Sequence, residues 1–166
     1  TGEGICALFS DMGADMIVSG GQTSNPSAEE FVSAFDSCSA DNIIVLPNNK
    51  NVYLAAKQAA ELYDKAKVYI IPTSSLMEGY GALSVITPGG SDVEALVRSA
   101  EHAAKNVFGI EVTRAVRDAI VGGVKISAGD YMAISGGGIS AVCESPEDAV
   151  LTSFDGVDMD DYEIIT

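Results

Sequence analysis

The chain has 166 residues, 47% of them hydrophobic, and a formal charge of −15. That is the size of one domain, or of one domain with a small appendage, with enough apolar content for a packed core. The acidic balance excludes a nucleic-acid binder, which needs a basic stripe, and disfavours anionic membrane surfaces.

Gly2-Glu3-Gly4 leads into Ile5, Ala7, Leu8, Phe9 and Met12, spaced for one face of a helix that Gly13 closes. A first strand is expected at Asp15 to Ser19, running into Gly20-Gly21-Gln22-Thr23-Ser24-Asn25-Pro26-Ser27. Ser27 reads as an N-cap, with Glu29 and Glu30 in the first turn and Glu30 placed for a capping box. Phe31, Ala34 and Phe35 form the buried stripe of that helix. The second strand, Asn42 to Leu46, is apolar on both faces, as expected of a strand with helices on either side. It ends at Pro47-Asn48-Asn49-Lys50-Asn51, and an Ala-rich helix is expected from about Val52 to Tyr63. The third strand, Lys67 to Ile71, ends at Pro72-Thr73-Ser74-Ser75.

These three segments share one βα pattern: a β-branched strand, then Gly or Pro, then small polar residues. Their even spacing suits a strand, a crossover helix and two short loops. Right-handed crossovers place the three polar loops at one sheet edge. The expected ligand or partner rim is therefore Gly21, Gln22, Thr23, Ser24, Asn25, Asn48, Asn49, Lys50, Thr73, Ser74 and Ser75.

Leu76 to Ile86 is expected as a short helix broken by Gly79 and Gly81, with a turn at Thr87-Pro88-Gly89-Gly90. Ser91 reads as the cap of a helix from about Asp92 to Asn106. The pattern then changes. Phe108 to Asp118 alternates in places, and Gly122-Gly123 punctuates it. Val124 to Ile126, the Ser127-Ala128-Gly129-Asp130 turn and Tyr131 to Ile134 read as antiparallel strands. Ser135-Gly136-Gly137-Gly138 turns into Ile139 to Cys143, and Ser145-Pro146 starts a helix to about Phe154. The expected class is α/β: a parallel sheet of βα repeats flanked by helices, then an antiparallel hairpin portion. The expected domain is 1–154, divided at 106/107, with 155–166 an acidic linker and the beginning of a further strand. The first residue is Thr1, not Met, which reads as a piece cut from a longer protein.

No apolar run reaches the roughly 18 residues of a membrane helix, and no basic-then-apolar leader is present. A soluble cytoplasmic protein without membrane insertion is the expectation. All nine Lys and Arg fall between Lys50 and Lys125, against eight acids there; the flanking segments are wholly acidic, which leaves a basic protein partner as an alternative. Cys6, Cys38 and Cys143 are too scattered for a metal site and read as buried free thiols. His102, the single histidine, sits mid-helix, so neither a Ser-His-Asp triad nor a His-rich zinc site is built on it. The Gly-rich junctions lack both the Gly-Lys-Ser/Thr of a phosphate loop and the dinucleotide fingerprint. No catalytic residue, metal or cofactor is assigned.

Four motifs, Gly20-Gly21-Gln22-Thr23-Ser24-Asn25-Pro26-Ser27, Leu46-Pro47-Asn48-Asn49-Lys50-Asn51, Ile71-Pro72-Thr73 and Gly129-Asp130-Tyr131, occur in this order. They resemble the C-terminal region of the kinase component of bacterial fatty acid kinase, the YloV-type proteins related to dihydroxyacetone kinases. The resemblance implies that ATP and magnesium are bound by a kinase domain N-terminal to this region. It also implies docking of the separate fatty-acid-binding protein of the same enzyme, whose acyl carboxylate is phosphorylated, and allows a homodimer through the parent kinase. Thr23-Ser24-Asn25-Pro26-Ser27 followed by Glu30-Phe31 also resembles a stretch of the DegV-type fatty-acid-binding proteins. In those the next junction, a Ser-Ser-Lys-Leu-Ser-Gly-Thr type loop, helps to hold the carboxylate; here it reads Asn48-Asn49-Lys50-Asn51-Val52-Tyr53. A docking module is the first reading, a fatty-acid or small-ligand binder of DegV type the second, and a self-contained kinase or phosphatase the last.

Overall fold

The computed structural model describes residues 2–20, 25–87, 89, 92–155 and 157–162. The chain is mixed α/β and divides into two compact units, Thr1–Val107 and Phe108–Thr166.

In the first unit, α1 (Glu3–Asp11) ends as expected at Gly13, whose φ of 102° lies in the left-handed region. Gly13 N–H donates to Ser10 O and Ala14 N–H to Phe9 O, both at 3.0 Å, which closes the helix with a Schellman motif. Asp15 to Ser19 carries no strand, contrary to expectation. Val18 packs on the core, but Met16 and Ile17 are exposed, so the run is not covered on two faces as a central strand would be.

α2 (Ala28–Ser37) starts at the expected capping box: Glu30 N–H donates to Ser27 Oγ at 3.3 Å, and Ser27 N–H to Glu30 Oε2 at 2.7 Å. Strands β1 (Asn42–Val45) and β2 (Lys67–Ile70) pair in parallel, Asn42 opposite Lys67 and Val45 opposite Ile70. They are joined by α3 (Lys50–Leu62). Ile43 and Val45 face a cluster built from Phe31 and Phe35 of α2 and Val52, Ala56 and Ala59 of α3. Ile44 and Leu46 face Ala82 of α4 (Leu76–Ser84) and Ala100 and Ala104 of α5 (Val93–Lys105). The double-sided apolar strand is thus explained by helices on both faces, and alanines let the helix backbones approach closely.

α4 runs unbroken through Gly79 and Gly81. These glycines serve close approach: a Cβ on Gly79 would overlap the Asn48 carboxamide, and one on Gly81 the Val107 side chain. α5 is capped by Asp92, whose Oδ1 accepts Ala95 N–H at 2.9 Å. The expected Ser91 cap, and Pro88 and Gly90 of the preceding turn, lie outside the described residues. The three cysteines are free and half-buried, not buried.

In the second unit, β3 (Ile110–Arg114), β6 (Tyr131–Ser135) and β7 (Gly138–Cys143) form an antiparallel sheet in the order β3-β6-β7. Gly136 and Gly137, at φ 57° and 81°, make the expected tight turn between β6 and β7. α6 (Pro146–Ser153) covers one face through Ala149, packed with Ala133 and Ala141. β4 (Ala119–Val121) and β5 (Val124–Ile126) form a separate hairpin. Val124 to Ile126 therefore pairs across Gly122-Gly123, not across the Ser127–Asp130 turn. Positive φ at both glycines, 59° and 84°, gives the two-residue turn that hairpin twist favours. The acidic 155–161 segment contains a 3₁₀ turn, Met159–Asp161, and the Tyr162 ring lies 5.9 Å from that of Phe108. The strand expected to begin at Tyr162 falls largely outside the described residues.

Candidate functional site

β1 and β2 run parallel, so the loops that follow them emerge at the same end of the sheet. A direct bond joins them: Asn48 N–H donates to Thr73 Oγ1 at 3.0 Å. Thr73 is only 1% exposed, and this bond pairs its hydroxyl. Pro72 sits in a tight turn in which Thr73 N–H returns to Ile71 O at 2.7 Å. Asn49 caps α3 through Oδ1, which accepts Asn51 N–H at 2.9 Å. Lys50 is exposed and begins the helix, slightly earlier than the sequence predicts.

Ser74 and Ser75 serve α4. Ser75 Oγ accepts Glu78 N–H at 3.1 Å. The Glu78 carboxylate turns back to accept Ser74 N–H at 2.6 Å and Ser74 O–H at 2.7 Å. The donors of this loop therefore already hold a carboxylate, supplied by the chain itself.

Local costs concentrate at the other loop. Asn48 has φ 57°, the one positive φ among described non-glycine residues. Its Oδ1 is buried with no hydrogen-bond partner and lies against Gly79. Lys50 places a cation at the positive end of α3, which costs about 0.3–1 kcal/mol relative to a favourable charge there. Departures from local preference gather where a surface serves function.

Two shallow clefts flank Pro72. One, of about 290 Å³, is lined by Ser74, Glu78, Glu101 and Lys105; the other, of about 240 Å³, by Lys50, Tyr53, Thr73 and Ser74. Neither is enclosed, and both fall below the roughly 300 Å³ at which ligand pockets begin. The described residues hold no group of three His, Cys, Asp or Glu side chains placed for a metal. His102 is exposed, with Nε2 2.9 Å from Asn106 Nδ2.

Of the expected rim, the structure brings together Asn48, Asn49, Lys50, Thr73, Ser74 and Ser75. Gly21, Gln22, Thr23 and Ser24 lie outside the described residues, and Asn25 is exposed just before α2. Sequence reasoning missed Glu78, whose signal is its position three residues after the Ser75 cap. It also missed the role of Gly129-Asp130-Tyr131. Gly129 N–H donates to Ala115 O at 2.8 Å and its O accepts Arg114 Nε–H at 3.2 Å. Asp130 Oδ2 accepts Ser127 N–H at 2.7 Å, and the Arg114 guanidinium lies 5.8 Å from the Tyr131 ring centroid. This motif ties the base of the β4–β5 hairpin to the larger sheet.

Comparison with known proteins gives the lineage. The sequence model of the FakA-like C-terminal family, the C-terminal region of fatty acid kinase A-type proteins, matches residues 1–166. Protein YloV of Bacillus subtilis (strain 168) is 38% identical over 165 residues, which is 99% of this chain and 30% of that protein. An uncharacterized protein of Staphylococcus haemolyticus (strain JCSC1435) is 41% identical over 134 residues, 81% of this chain and 24% of the relative. One from Staphylococcus aureus (strain USA300) is 39% identical over 133 residues, 80% and 24% respectively. The chain thus spans less than a third of the length of these relatives. With four motifs in order, an α/β unit and an antiparallel unit, and a family match along its whole length, the chain belongs to the FakA-like C-terminal family of fatty acid kinases.

Proposed function

We propose that this chain is the non-catalytic C-terminal region of a fatty acid kinase and docks the fatty-acid-binding protein of that enzyme, so that the bound acyl carboxylate reaches the kinase. The family match over residues 1–166 carries this reading. On it, ATP, magnesium and acyl phosphate synthesis belong to a kinase domain elsewhere in the protein, in the cytoplasm, and a homodimer forms through that kinase. Among the described residues no helix is long and apolar enough to cross a membrane.

The rim geometry supports docking over lipid binding. Glu78 already occupies the Ser74 donors, and a second carboxylate there would meet a like charge. The clefts are open and small, whereas an acyl chain needs an enclosed apolar channel. Size-exclusion chromatography of the chain mixed with the fatty-acid-binding protein should give a co-eluting complex, with no ATP turnover by the chain alone. Separate elution, when the intact kinase does co-elute with the fatty-acid-binding protein, would remove the docking role.

A further inference from the structure

The second unit presents an aliphatic and basic tip that its own packing leaves uncovered. Val116 is 92% exposed and Ile120 75% exposed, with Val121 and Val124 also exposed. Ile120 stands directly across from Lys125, so the two share one face of the hairpin. From Phe108 onward the chain has three basic residues against eleven acidic ones, and all three, Arg114, Arg117 and Lys125, fall within residues 114–125. One acid lies among them, Asp118, and its Oδ1 is engaged by Ala128 N–H at 2.7 Å. Arg114 is held by Gly129 O and Tyr131. Arg117 and Lys125 are exposed, and the ion pairs among the described residues, Lys65–Asp36 and Lys67–Glu94, lie elsewhere.

The base of this tip is fixed. Ala115 N–H donates to Asp130 O and Gly129 N–H to Ala115 O, both at 2.8 Å, and Ile126 is buried at 2% exposure. A hairpin pinned at its base and apolar at its tip needs little ordering on contact, which favours affinity. A two-stranded hairpin bearing large exposed aliphatics also gains stability from being covered.

We propose that the β4–β5 hairpin is the anchor through which this chain grips an acidic partner protein. Ile120 and Val116 enter an apolar recess there, and Arg117 and Lys125 meet carboxylates around it. Charge complementarity selects this occupant: the cations of an otherwise acidic unit are concentrated on its exposed aliphatics. A second copy fits worse, because a two-fold contact of the hairpin with itself would set Arg117 and Lys125 against like charges. A lipid surface fits worse too, because residues 114–126 contain no Trp, Tyr or Phe, the residues that anchor at a bilayer interface. The partner is taken to be the one in the docking reading above, on which this assignment rests.

The test uses the intact protein that carries this chain, the purified fatty-acid-binding protein as the probe, and calorimetric Kd values. Ile120→Asp should weaken binding by about ten-fold or more. The pair Arg117→Glu and Lys125→Glu should do likewise and flatten the salt dependence of binding. Ile120→Ser is a milder variant should the aspartate disturb folding, and Lys57→Glu, an exposed charge on α3, should bind as wild type. Unchanged affinity in the hairpin variants, with wild type binding, overturns the hairpin and leaves the docking reading standing; no binding by wild type overturns both. Loss in the hairpin variants of a self-association seen in wild type, or of binding to phosphatidylglycerol vesicles, with affinity for the fatty-acid-binding protein retained, assigns the tip to another occupant and overturns the proposal.

Discussion

Asn48 carries more local cost than any other described residue. Its backbone is left-handed, its Oδ1 is buried without a partner, and Gly79 leaves the space its carboxamide fills. Gly79→Ala should therefore destabilise the protein by about 1–3 kcal/mol, the usual cost of overpacking. Asn48→Gly in the same chain should restore most of the loss, because it removes the colliding group and suits the positive φ. Thermal melts of the two single variants and the double variant check this coupling. Lys50 is the opposite case. Lys50→Glu should raise stability by about 0.3–1 kcal/mol by matching the positive end of α3, while weakening binding of the fatty-acid-binding protein if the rim faces it.

Asp36 gives a pH prediction. The hydrogen bond from Lys65 Nζ, at 2.6 Å, holds its carboxyl below the usual aspartate range. A depressed folded value means that its contribution is present above the ordinary range and is lost as pH falls through the depressed one. Lys65 is raised by the same bond, so its contribution is lost only as pH rises through that raised range. Asp36→Asn should flatten the acid limb of a Tm–pH profile and leave neutral pH little changed, since the pair is exposed. At Cys38, burial and then the Asp15 charge push the thiol upward. It should alkylate slowly at pH 8 and faster as the pH rises, as read by mass spectrometry.

At the level of elements, local chemistry was readable wherever it decided the outcome. Ser27 with Glu30 fixed the start of α2, and removing the cap with Ser27→Ala should cost about 1 kcal/mol, a drop of a few degrees in Tm. The two-faced apolar pattern of Asn42–Val45 announced helices on both sides, and they are there. Long-range partners were not readable. Asp15 to Ser19 has strand-like composition, yet ladder pairing depends on neighbours that composition does not name. Val124–Ile126 was matched with the turn after it, although Gly122-Gly123 before it makes the tighter connection. α4 was expected to break at glycines that instead admit Asn48 and Val107. Within the rim, the meeting of the β1 and β2 loops followed from parallel strands and right-handed crossovers. The Glu78 carboxylate was hidden because it returns from the next helix to Ser74.

Over the whole molecule, charge is the organising quantity. The chain carries −15, and its cations are confined to two kinds of place: the first unit's exposed helix and strand ends, and the hairpin tip of the second unit. A partner with an acidic binding surface meets the few cations rather than the acidic remainder, so docking should weaken with salt. The central claim is that residues 1–166 suffice to hold the fatty-acid-binding protein. Titration calorimetry of that purified protein into this chain tests it most directly. The account predicts saturable one-to-one binding that weakens steadily as ionic strength rises, with no dependence on ATP. No heat and no complex with the chain, under conditions where the intact kinase binds the fatty-acid-binding protein, would contradict it.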